Sequence, residues 1–175
     1  VIDTQFELEP NEFVVLKGGE SSALGIYKDG RIRKLNFSNK KGFSVQGIKP
    51  RNKEQNFAAE MLLDPNIHMV TISGMAGSGK TLIATACAFE MLFKDQYQKI
   101  ILSRPVKSMS ADIGFLPGTK EEKMESWVQP FYDNMRIIFG DKGMKFIEAM
   151  AEKGKIEVEA LTYIRGRTLP DTIFI

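Results

Sequence analysis

The chain has 175 residues, an apolar fraction of 43% and a formal net charge of +2, which suits one globular domain, or one domain with a small appendage. No apolar run approaches the roughly 20 residues that a membrane-spanning helix needs, and the first residues lack the basic-then-apolar profile of a signal peptide. We therefore expect a cytoplasmic protein that has no membrane partner.

Residues 1–48 are predicted to form a small β-rich unit. A strand at Phe13–Leu16 ends at a pair of glycines. Further along, Asp29-Gly30 predicts a tight hairpin turn between two strands, because both residues tolerate positive φ. Pro50 marks the boundary with the rest of the chain, so residues 49–175 are predicted to form a second domain.

The stretch from Lys28 to Lys53 is strongly basic, with nine lysines and arginines against one acid, Asp29. A basic surface with aromatic residues nearby suits a phosphate backbone with stacked bases. We expect RNA or single-stranded DNA to contact Arg31, Arg33 and Lys34. The alternative, a solvated face whose basic edge discourages aggregation between strands, stays open.

A helix is predicted to follow Pro50. Asn52 is its predicted N-cap and Gln55 occupies the third helical position, as in a capping box. The sequence Asp64-Pro65-Asn66 ends this helix.

The most informative motif is Gly74-Met75-Ala76-Gly77-Ser78-Gly79-Lys80-Thr81, which matches the phosphate-binding pattern G-x-x-x-x-G-K-[ST]. The run Ile67–Ser73 before it is predicted to be a buried strand, and Leu82–Phe93 after it a buried helix that contains Cys87 as a small core residue. Consecutive loop N–H groups and the helix N-terminus would cradle phosphates, Lys80 would reach the β- and γ-phosphates, and Thr81 would ligate Mg²⁺. We therefore predict that ATP contacts Gly74, Met75, Ala76, Gly77, Ser78, Gly79, Lys80, Thr81 and Leu82.

The remaining elements alternate between strands and helices. Strands are predicted at Lys99–Ser103, Ile156–Leu161 and Thr172–Ile175. A helix with a second capping box, Thr119 with Glu122, is predicted to be interrupted or kinked at Pro130, and another to span Met144–Ala151 and end near Gly154. This order predicts an α/β fold with a mostly parallel sheet, whose ligands bind beyond the carboxyl ends of the strands.

Together these motifs resemble the PhoH-like family of P-loop ATPases. The matching residues include Pro50-Arg51-Asn52 with Gln55, the glycine loop, Ser103-Arg104-Pro105-Val106, the block from Asp112 to Gly118 and the block from Leu161 to Thr168. The resemblance covers about residues 50–175. It implies a P-loop NTPase core similar to superfamily 1 helicases, and Asn11-Glu12-Phe13-Val14 resembles the subgroup whose ATPase follows an N-terminal PIN-type nuclease domain.

The resemblance also implies roles for residues at matching positions. Gln55 would recognise adenine, with helix capping as the alternative. Arg104 would contact a nucleic-acid strand or couple it to the nucleotide. Arg165 and Arg167 would neutralise charge at a γ-phosphate, on the same subunit or on a neighbour in a homo-hexameric ring, with carboxylate partners inside the fold as the alternative.

In the family, a Walker B pair of acids follows the strand that begins here at Thr172, and the sequence stops at Ile175. If these residues are the whole molecule, we expect nucleotide binding without efficient hydrolysis. If they are part of a longer chain, the interpretation that we favour, the parent protein is an ATP hydrolase.

The sequence is therefore compatible with three functions. The leading one is an ATP- and Mg²⁺-dependent enzyme that acts on RNA or single-stranded DNA. A small-molecule P-loop kinase is the second, although no acceptor signature is apparent. The third is a non-catalytic module that binds nucleotide or nucleic acid.

Overall fold

The computed structural model describes residues 7–37, 41–104 and 120–175, with the backbone alone for residues 120–128. The chain divides into two compact units, residues 1–83 and 84–175. The first contains β1 (Phe13–Gly18), β2 (Ser21–Lys28), β3 (Arg31–Lys34) and α1 (Lys53–Leu62), and α2 (Lys80–Phe93) begins in it. The second continues with β4 (Lys99–Arg104), α3 (Lys120–Glu152), β5 (Ile156–Ala160), a 3₁₀ turn (Leu161–Tyr163) and β6 (Thr172–Phe174).

The first unit begins with an antiparallel sheet in the order β1-β2-β3. The predicted hairpin between β2 and β3 is confirmed. Lys28 pairs with Arg31, and the two residues between them, Asp29 and Gly30, have φ of 52° and 73°. These left-handed conformations match the right-handed twist of the flanking strands.

Helix α1 packs against this sheet. The rings of Phe13 and Phe57 stack with centroids 4.3 Å apart. The carboxylate of Glu60, which is only 4% exposed, accepts hydrogen bonds from the backbone N–H groups of Asn36 and Phe37. These contacts anchor the end of the sheet to α1. The boundary predicted after residue 48 stays a prediction.

The second unit contains a parallel sheet in the order β5-β4-β6, so the three predicted strands are confirmed. The side chains of Ile100, Leu102 and Ile156 point to one face of this sheet, where they form the core with residues of α2 and α3. Because β4 is paired on both sides, its central residues are buried almost completely. The predicted burial of Cys87 is also confirmed.

The strand predicted at Ile67–Ser73 was wrong. These residues form no strand, and none of the strands in the described part of the chain pairs with them. Met69 is 82% exposed. An apolar, β-branched run becomes a strand only when a neighbouring strand accepts and donates its backbone hydrogen bonds, and the sequence pattern does not report whether such a neighbour is present.

The interruption predicted at Pro130 was also misplaced. Helix α3 continues through Pro130 and breaks at Gly140, whose φ of 68° is not helical. The fixed φ of proline is close to that of a helix, whereas glycine adopts left-handed backbone at little cost. The helix end predicted near Gly154 is confirmed, since Gly154 has a φ of 69° and donates to the carbonyl of Ala151.

Two further predictions concern residues outside the described part. Thr119 of the second capping box lies there, and so does the block from Asp112 to Gly118. Among the residues that are described, no helix is both long and apolar enough to cross a membrane.

Candidate nucleotide-binding site

The glycine loop curls immediately before α2. Gly77 and Gly79 have φ of 76° and 82°, a left-handed conformation that favours glycine. At Gly79 a Cβ atom would also lie 3.1 Å from Nε2 of Gln55, whereas at Gly77 it would meet nothing within 4 Å. The motif therefore needs glycine at position 79 for its backbone conformation and for the close approach of Gln55.

The Lys80 side chain turns back into the loop. Its ammonium group donates to the carbonyl oxygens of Gly74 at 2.9 Å and Met75 at 2.7 Å, and it lies 3.4 Å from the Ser78 hydroxyl. A positive charge is thus held inside the curl of the backbone. The arrangement suits an anion that enters the loop, because the ammonium can exchange a carbonyl partner for a phosphate oxygen.

The backbone amides of the loop complete this positive environment. Ser78 donates its N–H to Met75, and the first helical bond of α2 runs from Ile83 to Gly79. The N–H groups of Ala76, Gly77 and Gly79 donate to no acceptor in the described part of the protein. Those of the first turn of α2 have no partner within the helix, and they carry its partial positive charge. These amides and the Lys80 ammonium form an arrangement that suits a phosphate.

Gln55 links helix α1 to the glycine loop. The N-cap prediction is confirmed, because the Asn52 side chain accepts from the Gln55 backbone N–H at 2.8 Å. The Gln55 amide oxygen accepts from the N–H of Arg51 at 2.7 Å, and its Nε2 donates to the carbonyl of Ser78 at 3.0 Å. A side-chain amide has two donor hydrogens and two lone pairs, so one of each stays available for a ligand. Recognition of adenine by Gln55 stays a prediction.

A cleft of about 250 Å³ opens between α1 and the loop. Gln55, Gly74, Ser78, Gly79 and Lys80 line its polar side, and Ala58, Ile72 and Ile83 line its apolar side. Sequence reasoning missed the three apolar residues. Their positions in the sequence could have indicated them. Ala58 lies one helical turn beyond Gln55, Ile72 lies shortly before the loop, and Ile83 lies in the first turn of α2.

Thr81 is the one residue of the motif that suits a magnesium ion. It is exposed in the first turn of α2, where its hydroxyl is accessible. In the described part of the chain, no three His, Cys, Asp or Glu side chains come close enough together to hold a metal ion. Mg²⁺ usually keeps several waters and binds phosphate oxygens with one or two protein ligands, so a single threonine is compatible with an ion brought in by a nucleotide.

The two predicted γ-phosphate arginines differ in their surroundings. The Arg167 guanidinium donates to Glu159 at 2.6 Å and to Glu157 at 3.2 Å. Arg165 is exposed and forms no ion pair with a described residue. Among the described residues, carboxylate partners thus exist for Arg167 and not for Arg165.

Lys99 completes the ion pairs around Glu157. Its ammonium lies 2.5 Å from the Glu157 carboxylate. The hydrogen bond from Lys99, with a further one from Arg167, holds the pKa of Glu157 below its usual value, although burial opposes the shift. Glu157 is therefore charged at neutral pH and fixes both cations.

The predicted nucleic-acid residues belong to both units, and those on β3 lie on both of its faces. Side chains alternate along a strand, so Arg31 and Arg33 project from one face of β3 and Lys34 from the other. Arg33 also pairs with Asp29 at 3.0 Å. Arg104 is exposed at the carboxyl end of β4 in the second unit, where ligands of parallel sheets bind.

The glycine loop, its lysine and the parallel α/β sheet define a P-loop NTPase. A family model described as PhoH-like protein matches residues 47–175, and the chain belongs to this family. The predicted P-loop fold class and the resemblance to the PhoH-like family are thereby confirmed, whereas the subgroup with a PIN-type domain stays a prediction. Family membership implies nucleotide binding and Mg²⁺ use.

Curated relatives agree with this family. Protein PhoH2 of Bacillus subtilis (strain 168) is 42% identical over 179 residues, which is 98% of this chain and 40% of that protein. Protein PhoH2 of Thermobispora bispora is 38% identical over 133 residues, 75% of this chain and 30% of that protein. The PhoH-like protein of Bacillus subtilis (strain 168) is 36% identical over 137 residues, 78% of this chain and 40% of that protein. The chain thus spans two fifths or less of the length of these relatives.

Proposed function

We propose that the protein is an ATP hydrolase that acts on RNA or single-stranded DNA, and that Lys80 and the amides of the glycine loop bind the ATP phosphates. The observation that carries the proposal is the position of the Lys80 ammonium group, which is bonded to the carbonyls of Gly74 and Met75 beside N–H groups that have no described protein acceptor. This arrangement combines the positive charge of an ammonium group with backbone dipoles, and both favour an anion.

The other residues of the site follow from this binding mode. Thr81 would hold the magnesium ion that accompanies the nucleotide, and that ion would neutralise part of the phosphate charge. Gln55 offers its remaining donor and acceptor to the adenine edge, and its bond to Ser78 positions the loop. The apolar wall of Ala58, Ile72 and Ile83 excludes water from one side of the cleft.

Hydrolysis is assigned to the whole protein, because the chain spans two fifths or less of its relatives. We place Arg165, rather than Arg167, at the γ-phosphate of a neighbouring subunit in a homo-hexamer. The reason is that the Arg167 guanidinium is already bonded to two carboxylates, whereas Arg165 has no described ion-pair partner. Arg165 is thus the cation that can move to a new anion without breaking an existing pair.

The nucleic acid is placed on the cationic residues that the sequence singled out. Arg31 and Arg33 share one face of β3, Lys34 adds charge on the other face, and Arg104 ends β4. Each is a cation that a nucleic-acid phosphate can approach, and Arg33 would exchange its exposed pair with Asp29 for the phosphate. Hydrolysis of the ATP bound at Lys80 would drive the movement of this nucleic acid.

The proposal is tested by phosphate release from ATP in the full-length protein, with and without single-stranded RNA or DNA. We expect nucleic acid to stimulate turnover, Lys80→Ala to abolish it, and Arg165→Ala to reduce it far more than Arg167→Ala does. Phosphoryl transfer to a metabolite, unaffected by nucleic acid, would instead identify a kinase. Binding of nucleic acid without turnover would identify a non-catalytic module, and either result contradicts the proposal.

A further inference from the structure

A second cleft, of about 670 Å³, lies in the second unit at the amino edge of its parallel sheet. It is lined by residues at the beginning of β4, just before β5 and at the beginning of β6. Ligands of parallel α/β sheets bind at the opposite, carboxyl edge, so the usual location of the nucleotide does not explain this cleft. It also shares no residue with the cleft at the glycine loop.

Four cationic side chains line the second cleft: Lys99, Lys153, Lys155 and Arg167. The one acid in the lining is the exposed Asp95. Lys99 and Arg167 are held by Glu157 and Glu159, which fixes their positions and balances their charge. Lys153 and Lys155 are exposed and have no carboxylate partner in the described part of the chain. Two lysines without an ion-pair partner in the described part therefore line the cleft, against one acid, Asp95.

A structural role at the end of α3 does not account for these two lysines. Lysines often follow a helix because they bond its last carbonyl groups. Here backbone groups already do so, since Gly154 donates to Ala151 and Lys155 donates its N–H to Met150, both at 2.9 Å. The ammonium groups are thus available to another anion.

The remaining lining residues suit a nucleobase. Tyr97 is a half-buried aromatic residue, and Gln98 carries an exposed side-chain amide that can both donate and accept. The backbone N–H of Gln98 donates to the carbonyl of Asp171 at 2.8 Å, so this part of the rim is anchored. An aromatic platform beside a row of cations is the combination that binds single-stranded nucleic acid.

We propose that this amino-edge cleft binds single-stranded nucleic acid, with Lys153 and Lys155 on backbone phosphates and Tyr97 against a base. The volume falls within the range of about 300–1,000 Å³ that holds one small molecule, so the cleft takes one nucleotide of a strand at a time and not a duplex. The site deepens the proposed function, on which it rests for the kind of substrate, by adding a strand-binding surface that the sequence did not predict.

The test compares two double variants that remove the same charge from exposed lysines. The site variant is Lys153→Ala with Lys155→Ala, and the control is Lys142→Ala with Lys145→Ala in α3. Fluorescence anisotropy measures the binding of labelled single-stranded RNA and DNA by the full chain over a range of salt concentrations. We expect the control to bind as the wild type does, and the site variant to bind more weakly. The slope of the logarithm of the binding constant against the logarithm of the salt concentration should be smaller in magnitude by about 1.4 for the site variant. This is about 0.7 for each phosphate that a lysine no longer neutralises.

If the two double variants change the nucleic-acid affinity equally, or if the site variant does not change it, the proposal that this cleft binds nucleic acid is wrong. Circular dichroism melting establishes that each variant is folded. Tyr97→Phe should preserve affinity and Tyr97→Ala should lower it, whereas equal affinities would contradict base stacking.

ATP binding is measured separately by calorimetry. Loss of ATP binding in Lys80→Ala with strand binding retained supports two independent sites. If the wild type binds nucleic acid through Lys153 and Lys155 but binds no ATP, the proposed ATP site is contradicted and the amino-edge cleft is not.

Discussion

Gly79 is the glycine of the loop at which an added Cβ would meet a residue of helix α1. We predict that Gly79→Ala lowers the free energy of unfolding more than Gly77→Ala does. Both changes place a side chain on left-handed backbone, at a cost of about 1–2 kcal/mol. Only at position 79 does the new Cβ also crowd Gln55, at 3.1 Å, and that amide is held by two hydrogen bonds.

Urea unfolding of both variants, in wild-type and Gln55→Ala backgrounds, measures this difference. In the Gln55→Ala background the two glycine substitutions should cost the same, because the crowded atom is gone. Equal costs in the wild-type background would show that Gln55 does not hold the loop.

Glu157 gives stability a pH dependence. Its pKa is lowered in the folded protein by the hydrogen bond from Lys99, with a smaller contribution from Arg167. A lowered carboxylate pKa stabilises the folded state above the unfolded pKa, near 4.5, and this contribution is lost as the pH falls below that value. We predict that Glu157→Gln is less stable than the wild type at about pH 7, and that the difference shrinks below about pH 4.

Thermal melting across this pH range measures the effect. Glu148→Gln is the matched control, because Glu148 is an exposed carboxylate on α3 without an ion pair to a described residue. A stability difference for Glu157→Gln that does not change with pH would contradict the ionic explanation.

At the scale of elements, the contact between α1 and the β-rich unit depends on a buried carboxylate. Glu60 accepts two backbone N–H groups, from Asn36 and Phe37, in a position only 4% exposed. We predict that Glu60→Ala destabilises the chain by about 1–3 kcal/mol, because it removes a buried carboxylate and leaves two part-buried N–H donors without their acceptor. Glu54→Ala, at an exposed position of the same helix, should cost less than about 0.5 kcal/mol.

Chemical denaturation of these two variants provides the measurement. Similar small costs for both would mean that water or another group satisfies the N–H groups of Asn36 and Phe37. The anchoring of the sheet end to α1 would then need another explanation.

Elements that depend on local chemistry could be predicted from the sequence. The Asp29-Gly30 hairpin, the Asn52 cap and the Gly154 helix end all follow from the φ preferences and side-chain bonds of one or two residues. The prediction of a strand at Ile67–Ser73 was wrong because strand formation depends on a partner that is distant in the sequence. The break in α3 was placed at Pro130 rather than Gly140, because a helix can accommodate proline at the loss of one hydrogen bond.

At the scale of the whole molecule, the nucleotide motif could be predicted and its internal contacts could not. Spacing alone predicts that Lys80 contacts phosphates and that Thr81 ligates magnesium. It does not reveal that Gln55 bonds the loop through Ser78, or that Arg167 is held by carboxylates on β5. Such pairs join residues from different elements, so they become visible only when the chain is folded.

The amino-edge cleft illustrates the same limit. Lys99, Lys153 and Arg167 are far apart in the sequence, and each alone is an ordinary surface cation. The parallel register of β4 with β5 and β6 brings the starts of all three strands together and creates one basic rim. The flanking of Gly154 by two lysines was the one local signal.

The central claim is that the glycine loop with Lys80 binds the phosphates of ATP. Its most direct test is calorimetric titration of the chain with a non-hydrolysable ATP analogue and Mg²⁺, comparing the wild type with Lys80→Ala and with Lys94→Ala. Lys94 is a matched control because it lies just beyond the other end of α2, 57% exposed. We expect saturable binding by the wild type and by Lys94→Ala, and affinity at least about tenfold weaker, about 1.4 kcal/mol, in Lys80→Ala. Absence of binding by the folded wild type, or equal affinity in all three proteins, would contradict it.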